Sequence, residues 1–252
     1  MTDSYGGLVN TGKMLEPDSS SIDESGAHIS RFGLKAVAGR GFLARLSQDL
    51  IDDLVQSSHS AAYPAGTILS PAPDGVGPAI VLSGRLRFFL SAPDGRQLTV
   101  HYALPGDIIG TVIRDQSEVT ARLEVLQATT LLHLDEAHMR WLAQHNAVLS
   151  RAMLGEAMDR LRAVYRMLAT RAFTSVRVRV AREIVELAEM MGGLRPGVHL
   201  AVTHQWLADA TGSVREVVAR ALRDLRHETV ISTTSDGITV LDPTGLRRAA
   251  GL

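Results

Sequence analysis

Apolar positions change from a helical to a strand-like spacing near residue 63. Residues 40–57 repeat leucine, isoleucine and valine every three or four positions, which predicts a short amphipathic helix. Between residues 63 and 134 the apolar residues fall in short runs separated by turns such as Pro93-Asp94-Gly95-Arg96, where Asp-Gly tolerates a positive φ. We expect an antiparallel barrel or sandwich here. Its predicted strands are residues 79–82, 85–90, 98–102, 108–110, 122–126 and 130–134.

One long helix is predicted after the strands, over residues 136–170. It carries an a/d heptad seam, the spacing of a coiled coil. Met158 and Tyr165 form a second apolar line beside the seam. We interpret the two edges as one that packs on the chain's own barrel and one that pairs with a second copy, giving a homodimer. A helix packed only on its own barrel is the alternative. The seam residues are Leu154, Ala157, Leu161, Val164 and Leu168.

The last third of the chain has the pattern of a helix-turn-helix followed by a hairpin. A helix over residues 176–190 follows Ser175, a plausible N-cap, and residues 198–202 suggest a short strand. A short helix at 203–210, a turn at Gly212 and an amphipathic helix at 214–227 come next. Val217 is assigned to the apolar face of that second helix. Residues 230–232 and 238–240 then form a hairpin wing.

These motifs resemble the catabolite activator/FNR (CRP/FNR) superfamily of bacterial transcription regulators. The resemblance implies an α+β fold with an N-terminal cyclic-nucleotide-binding-like β jelly roll, a long dimerisation helix and a C-terminal winged helix-turn-helix. We expect a disordered tail at 1–30, a sensor domain at 31–135, the dimerisation helix at 136–172 and the DNA-binding domain at 173–252. The residues that carry the resemblance are 63–67, 82–84, 104–110, 203–205 and 212–220.

The resemblance also implies which residues contact DNA. Arg215 and Arg220 match positions that donate to guanine, and Glu216 matches one that accepts from cytosine, so a G-T-G-A-like half-site is expected. Thr203 and Gln205 match phosphate-contacting positions, and Ser213 is a further candidate. Val214 replaces a common polar phosphate contact. Two alternatives stay open, namely a capping box formed by Ser213 and Glu216, and a merely solvated Arg215.

The effector site departs from the cyclic-nucleotide-binding members of this superfamily. Thr111 stands where a glutamate grips the ribose and Val119 where an arginine holds the cyclic phosphate. An unpaired buried phosphate is costly, so ordinary cyclic AMP control is not expected. The alternatives are a cyclic nucleotide held by Arg114 or Arg122, a less charged ligand, and no effector. The pocket candidates are Gly110, Thr111, Val119, Thr120 and Tyr165; a haem would need His101, His133 or His138.

Composition narrows the class of protein. With no cysteine there is no disulfide, iron–sulfur site or catalytic thiol. No membrane-length apolar run or signal-peptide pattern occurs, so we expect a cytoplasmic protein. Residues 1–159 carry 12 Lys and Arg against 18 Asp and Glu, whereas residues 160–252 carry 14 against 9. This asymmetry fits nucleic-acid contact and, equally, a solvated arginine-rich face. No catalytic motif or metal site is found. We expect double-stranded DNA, a second copy and RNA polymerase as partners, and an effector module without DNA function as the rival.

Overall fold

The computed structural model describes residues 33–70, 76–110 and 120–252, which fall into two compact units. Within these ranges the first unit comprises residues 33–88, 102–110 and 121–154. The second comprises residues 89–101, 120 and 155–252. The predicted tail at 1–30 lies outside the described residues. None of the described helices has both the length and the apolar content that crossing a bilayer requires.

A six-stranded sheet forms the centre of the N-terminal part. Its strands follow the order β1-β6-β3-β4, with β2 also pairing with β6 and β5 with β3. The pairings of β1 and β2 with β6 and of β5 with β3 are antiparallel. Two pairs of predicted strands are continuous, because β3 and β6 each run through the expected interruption. The bounds are β1 His59–Tyr63, β2 Ile68–Leu69, β3 Ala79–Ser91, β4 Gln97–Ala103, β5 Ile108–Ile109 and β6 Thr120–His133.

The two faces of this sheet bury different apolar clusters. Ala79 and Val81 lie in one cluster, with residues from the other strands, and Ile80 and Leu82 lie in the other, with helical residues. Leu86 lies in the same cluster as Val81, five positions earlier. In a regular strand, side chains an odd number of positions apart point to opposite faces, so the alternation of faces shifts by one residue between Val81 and Leu86. Gly84 lies at this shift with φ +84°, as expected of a glycine β-bulge. A Cβ there would lie 2.3 Å from Thr129 Oγ1.

Short helices cover the second of these clusters. Residues 33–37 are helical (α1), Leu43–Arg45 form a 3-10 turn and Gln48–Leu54 form α2. The prediction of one helix over residues 40–57 was therefore wrong. Leu46 and Ser47 have extended backbones, at ψ 148° and 158°, and these two residues separate the 3-10 turn from α2.

The predicted single helix at 136–170 is also two helices. Glu136–His145 form α3 and Ala147–Phe173 form α4. Asn146 is extended between them, with φ −126° and ψ 105°. Its side-chain oxygen accepts the backbone N–H groups of Val148 at 3.0 Å and Leu149 at 3.2 Å. Asn146 thus starts a new helix, because its side chain satisfies N–H groups that would otherwise lack an acceptor.

The C-terminal elements form a winged helix-turn-helix, as predicted. The bounds of α5 are those expected, and Ser175 accepts the Val178 N–H at its start. Strands β7, β9 and β8 form an antiparallel sheet in that order. With the antiparallel jelly-roll sheet and the long α4, this confirms the α+β prediction. The bounds are α5 Val176–Met190, β7 His199–Leu200, α6 His204–Thr211, α7 Arg215–His227, β8 Ile231–Thr233, β9 Ile238–Val240 and α8 Pro243–Ala249.

Candidate nucleic-acid interface

The first helix of the motif, α6, is fixed at its start by Thr203. The Thr203 hydroxyl oxygen accepts the Trp206 N–H at 3.0 Å, so Thr203 is the N-cap of α6. Gln205 is exposed in the first turn and donates to Asp209 Oδ1 at 2.9 Å. Both candidates for phosphate contact therefore lie at the amino end of α6. The carboxylate of Asp209 holds the Gln205 amide, which would have to turn to reach a phosphate.

The turn between the two helices depends on Gly212. Its backbone is left-handed, at φ +59° and ψ +48°, and the N–H of Ser213 returns to the Ala208 carbonyl at 2.9 Å. The capping box considered for Ser213 and Glu216 does not form. Val214 occupies the N-cap of α7 without a side-chain hydrogen bond, so the helix begins one residue later than a Ser213 cap requires.

The second helix, α7, has one buried face and one largely exposed face. Val218, Ala221, Leu222 and Leu225 are buried. At about 100° per residue, Arg215, Glu216 and Arg220 occupy an arc of about 140° on the opposite side. All three are exposed, and within the described ranges none has a hydrogen-bond or ion-pair partner.

One residue of α7 differs from the sequence interpretation. Val217, assigned to the apolar face, is 36 % exposed because it lies at the edge of that face. The sequence also places Arg223 on the polar face with Arg215, Glu216 and Arg220, although no DNA contact was assigned to it. It is exposed within the same arc, as this helical spacing predicts.

The wing is attached to α7 by a side-chain contact. Arg226 donates from Nη1 to Thr233 Oγ1 of β8 at 3.2 Å. At the turn of the wing the Thr234 hydroxyl donates to Asp236 and lowers the pKa of that carboxyl group. An ionised Asp236 repels phosphate. The tip of the wing is therefore poorly suited to contact a DNA backbone.

The predicted dimerisation seam is an exposed apolar surface of α4. Leu154 is 62 % exposed and Leu168 is 53 % exposed. Leu161 and Ala157 are exposed as well, and Val164 is half-buried. Met158 and Tyr165, expected to pack on the barrel, are also exposed. Both apolar lines of α4 are thus open in the single chain.

The effector candidates are only partly described. Thr111 and Val119, with Arg114, lie outside the described residues. Gly110 follows β5 in the first unit. Thr120 and Tyr165 are exposed members of the second unit. The pocket therefore stays a prediction.

The histidines considered as haem ligands have other surroundings. Burial and the nearby charge of Arg160 lower the pKa of His101 to about 4. His133 Nε2 is hydrogen-bonded to the Tyr63 hydroxyl at 2.9 Å, and His138 Nε2 to the Asp53 carbonyl oxygen at 3.0 Å. In the described ranges, no three His, Asp or Glu side chains are grouped as metal ligands would be.

Comparison with known proteins identifies the family. Residues 178–249 match the Crp-like helix-turn-helix domain. Transcriptional regulator LdrP of Thermus thermophilus is 32% identical over 170 residues, which cover 67% of this chain and 84% of that protein. The CRP-like cAMP-activated global transcriptional regulator of Mycobacterium tuberculosis is 28% identical over 221 residues, covering 85% and 98%. A CRP/FNR-family crystal structure from Eubacterium rectale shares the fold, with a TM-score of 0.72 at 21% identity, over 83% of this chain and 97% of that chain.

The resemblance inferred from the sequence is thus confirmed by a domain match, by relatives that align over most of their own length, and by fold. The helix-turn-helix that the domain match covers is the one built from α6, Gly212 and α7. This chain belongs to the CRP/FNR family of transcriptional regulators, which bind DNA through a helix-turn-helix domain.

Proposed function

We propose that this chain is a sequence-specific transcriptional regulator that binds palindromic DNA as a homodimer in the cytoplasm. The exposed arc of α7 carries the proposal. It presents two guanidinium groups and one carboxylate that the described part of the chain leaves without partners. Unpaired charged groups on the outer face of the second helix are available to base edges in the major groove.

Arg215 and Arg220 are the proposed guanine contacts, because a guanidinium donates two parallel hydrogen bonds to O6 and N7. Glu216 lies between them on the arc and accepts from a cytosine amino group. This set suits a G-T-G-A-like half-site. Each good base contact contributes about 1–3 kcal/mol of discrimination against a wrong base.

Thr203, Gln205 and Ser213 are proposed to contact phosphate, which fixes the position of the protein without selecting sequence. The Thr203 hydroxyl accepts from Trp206 and keeps its own proton to donate. Arg223, exposed in the same arc, supplies a cation for the flanking backbone.

The exposed seam of α4 supports the homodimer. Leu154, Leu161 and Leu168 repeat every seven residues on an open apolar face, as in a coiled coil. Two copies related by a twofold axis would place two α7 helices in successive major grooves, about 34 Å apart. Such a dimer at a promoter would meet RNA polymerase, the further partner we propose.

Control by cyclic AMP does not follow from the relatives. The M. tuberculosis relative is described as cAMP-activated. In this chain Thr111 and Val119 replace the carboxylate and the guanidinium that hold a cyclic nucleotide in the family. We propose that the chain binds DNA without this ligand.

Selection of DNA sequences by the purified full chain, alone and with cyclic AMP or cyclic GMP, tests the function. We expect a palindrome without ligand. Arg220→Ala should relax sequence preference, losing about 10-fold or more on the selected site and little on random DNA. Gln205→Ala should weaken binding to both alike. Arg247→Ala, whose side chain pairs with Glu189, is the control.

Equal losses for Arg220→Ala on selected and random DNA would refute the base contacts. A palindrome recovered only with a cyclic nucleotide would show that Thr111 and Val119 do not prevent binding. No enriched sequence under any of these conditions would contradict ligand-independent DNA binding.

A further inference from the structure

The end of the long helix α4 contacts the helix-turn-helix through Arg171. The Arg171 Nη1 donates to the carbonyl oxygen of Thr211 at 2.9 Å. Thr211 is the last residue of α6 and is buried. Carbonyls at a helix C-terminus lack partners within their helix and carry partial negative charge, so they favour a cation. One side chain thus joins the proposed dimerisation helix to the turn before α7.

The same end of α4 is also fixed to α5. Arg179 of α5 donates from Nη1 to the Thr174 carbonyl at 3.1 Å and to the Arg171 carbonyl at 3.4 Å. Arg182 of α5 donates from Nη1 to the Thr170 hydroxyl at 3.2 Å. Residues 170–174 are therefore held by two arginines of α5, while Arg171 extends to α6. The whole arrangement lies within the second compact unit.

The Arg171 guanidinium occupies the space beside Gly212 in the turn. A Cβ on Gly212 would lie 2.1 Å from Arg171 Nη1. Any side chain at this position would therefore displace the guanidinium from the end of α6. The left-handed backbone favours glycine at position 212, and a side chain there would also move the end of Arg171.

The guanidinium of Arg171 is held there against an electrostatic cost. Burial lowers its pKa, the charge of Arg179 lowers it further, and Glu183 opposes these effects. Its Nε is buried and makes no hydrogen bond among the described residues. Among the described residues, the hydrogen-bond acceptor of this guanidinium is the Thr211 carbonyl at the C-terminus of α6.

We propose that Arg171 is a positioning residue that fixes the orientation of the helix-turn-helix on α4 and thereby sets the half-site spacing that the dimer accepts. This inference rests on the proposed function. In a dimer joined along α4, the separation of the two α7 helices depends on the angle between each α4 and its own helix-turn-helix. The contact of Arg171 with Thr211 restrains that angle, so its loss permits a range of separations.

Binding of the full chain to a series of palindromes tests this role. The half-sites are identical, and the spacer has the selected length or is one or two base pairs shorter or longer. We expect the wild-type protein to lose about tenfold or more in affinity when the spacer changes by one base pair, because α7 then meets the groove at the wrong angle. Arg171→Met keeps the apolar stem, and we expect it to lose less than about threefold between these spacers.

Two further variants separate positioning from a merely structural role. Arg171→Lys restores a cationic donor, and we expect it to recover much of the spacing preference. Arg177→Met removes a different arginine of this unit, whose side-chain hydrogen bonds among the described residues go to Glu228, at 2.6 Å. Its spacing profile should match that of the wild-type protein. Thermal melting of every variant reports any loss of folding.

The outcomes distinguish this inference from the proposed function. If wild-type protein binds no palindrome, the proposed function fails. If the wild-type protein prefers one spacing and Arg171→Met keeps the same preference while binding all spacers more weakly, the positioning role is overturned and the function stands. Should Arg171→Met fail to fold, Arg171→Ala takes its place, since a wild-type spacing profile with a lowered melting temperature in a variant without the donor would also overturn the positioning role.

Discussion

At the scale of single residues, the neighbouring strands β1 and β6 bring two histidines together. His59 and His133 are register partners, and their rings stack with centroids 5.0 Å apart. Burial first, and the charge of His59 second, lower the pKa of His133 to about 4. Tyr63, whose own pKa burial raises, is hydrogen-bonded to the same ring. Neutral His133 is therefore part of the folded sheet.

The stability of the protein should depend on pH through this group. In the unfolded chain His133 titrates near its ordinary pKa of 6.5, so between pH 6.5 and about 4 the unfolded state binds a proton that the folded state does not. The stabilisation of the folded state by neutral His133 is present above pH 6.5 and is lost as the pH falls from 6.5 to about 4. We expect the free energy of unfolding to fall by about 2 kcal/mol from this group between pH 7 and pH 5.

Urea denaturation of His133→Gln at both pH values measures this contribution. The variant should lose less stability on acidification than the wild-type protein, although His101, which has a similarly lowered pKa, keeps part of the effect. His227→Gln is the control, because the His227 side chain is exposed on α7. An unchanged pH dependence in His133→Gln would contradict the assignment.

At the scale of elements, Asn146 decides where one helix ends and the next begins. The helical spacing of apolar residues continues through it, and only its side-chain bonds to Val148 and Leu149 mark the break. The Ser150 hydroxyl also donates to the Ala143 carbonyl across the break, which strengthens the junction. The start of α4, with buried Leu149, depends on this cap.

Removal of this cap should cost stability without rejoining the helices. For Asn146→Ala we expect a loss of about 1 kcal/mol in the free energy of unfolding, because two N–H groups lose their acceptor. Asn146→Asp keeps an acceptor and should stay within a few tenths of a kcal/mol of wild type. Chemical denaturation of both variants measures this difference, and equal losses would argue against a capping role.

At the scale of the whole molecule, the open apolar face of α4 from Ala157 onward and the exposed charges of α7 belong to one compact unit. Apolar side chains exposed along one helix face favour an interaction surface. A homodimer would cover the face and give the DNA-binding surface its twofold symmetry. Oligomeric state and DNA affinity should therefore change together.

Leu161→Glu tests this coupling. A carboxylate in the centre of the seam should weaken dimerisation by about a hundredfold or more, because each chain would bury an unpaired charge. Light scattering should then show a monomer, and affinity for the palindrome should fall in parallel. Ala169→Glu places the same charge at an exposed position of α4 that is not part of the seam, and this variant should stay dimeric. A dimer that survives Leu161→Glu would remove α4 as the interface.

The amino-acid sequence by itself determined the helix-turn-helix, the wing and the bounds of α5. These elements depend on local signals, namely apolar spacing, the Ser175 cap and the glycine at 212, which act over a few residues. The exposed face of α7 followed from the same spacing. Only Val217, at the edge of that face, was placed wrongly. The helical period shows which way the apolar face points, but it does not show how far the residues packed against that face extend around the helix.

Only the tertiary structure decided the contacts between residues distant along the chain. The continuity of β3 and β6 depends on pairing with other strands, and the sequence shows only the interruptions. The bond from Arg171 to Thr211 joins residues forty positions apart, and no sequence pattern specifies which carbonyl a guanidinium reaches. Local sequence signals specify individual elements, whereas tertiary packing determines which residues of different elements contact one another.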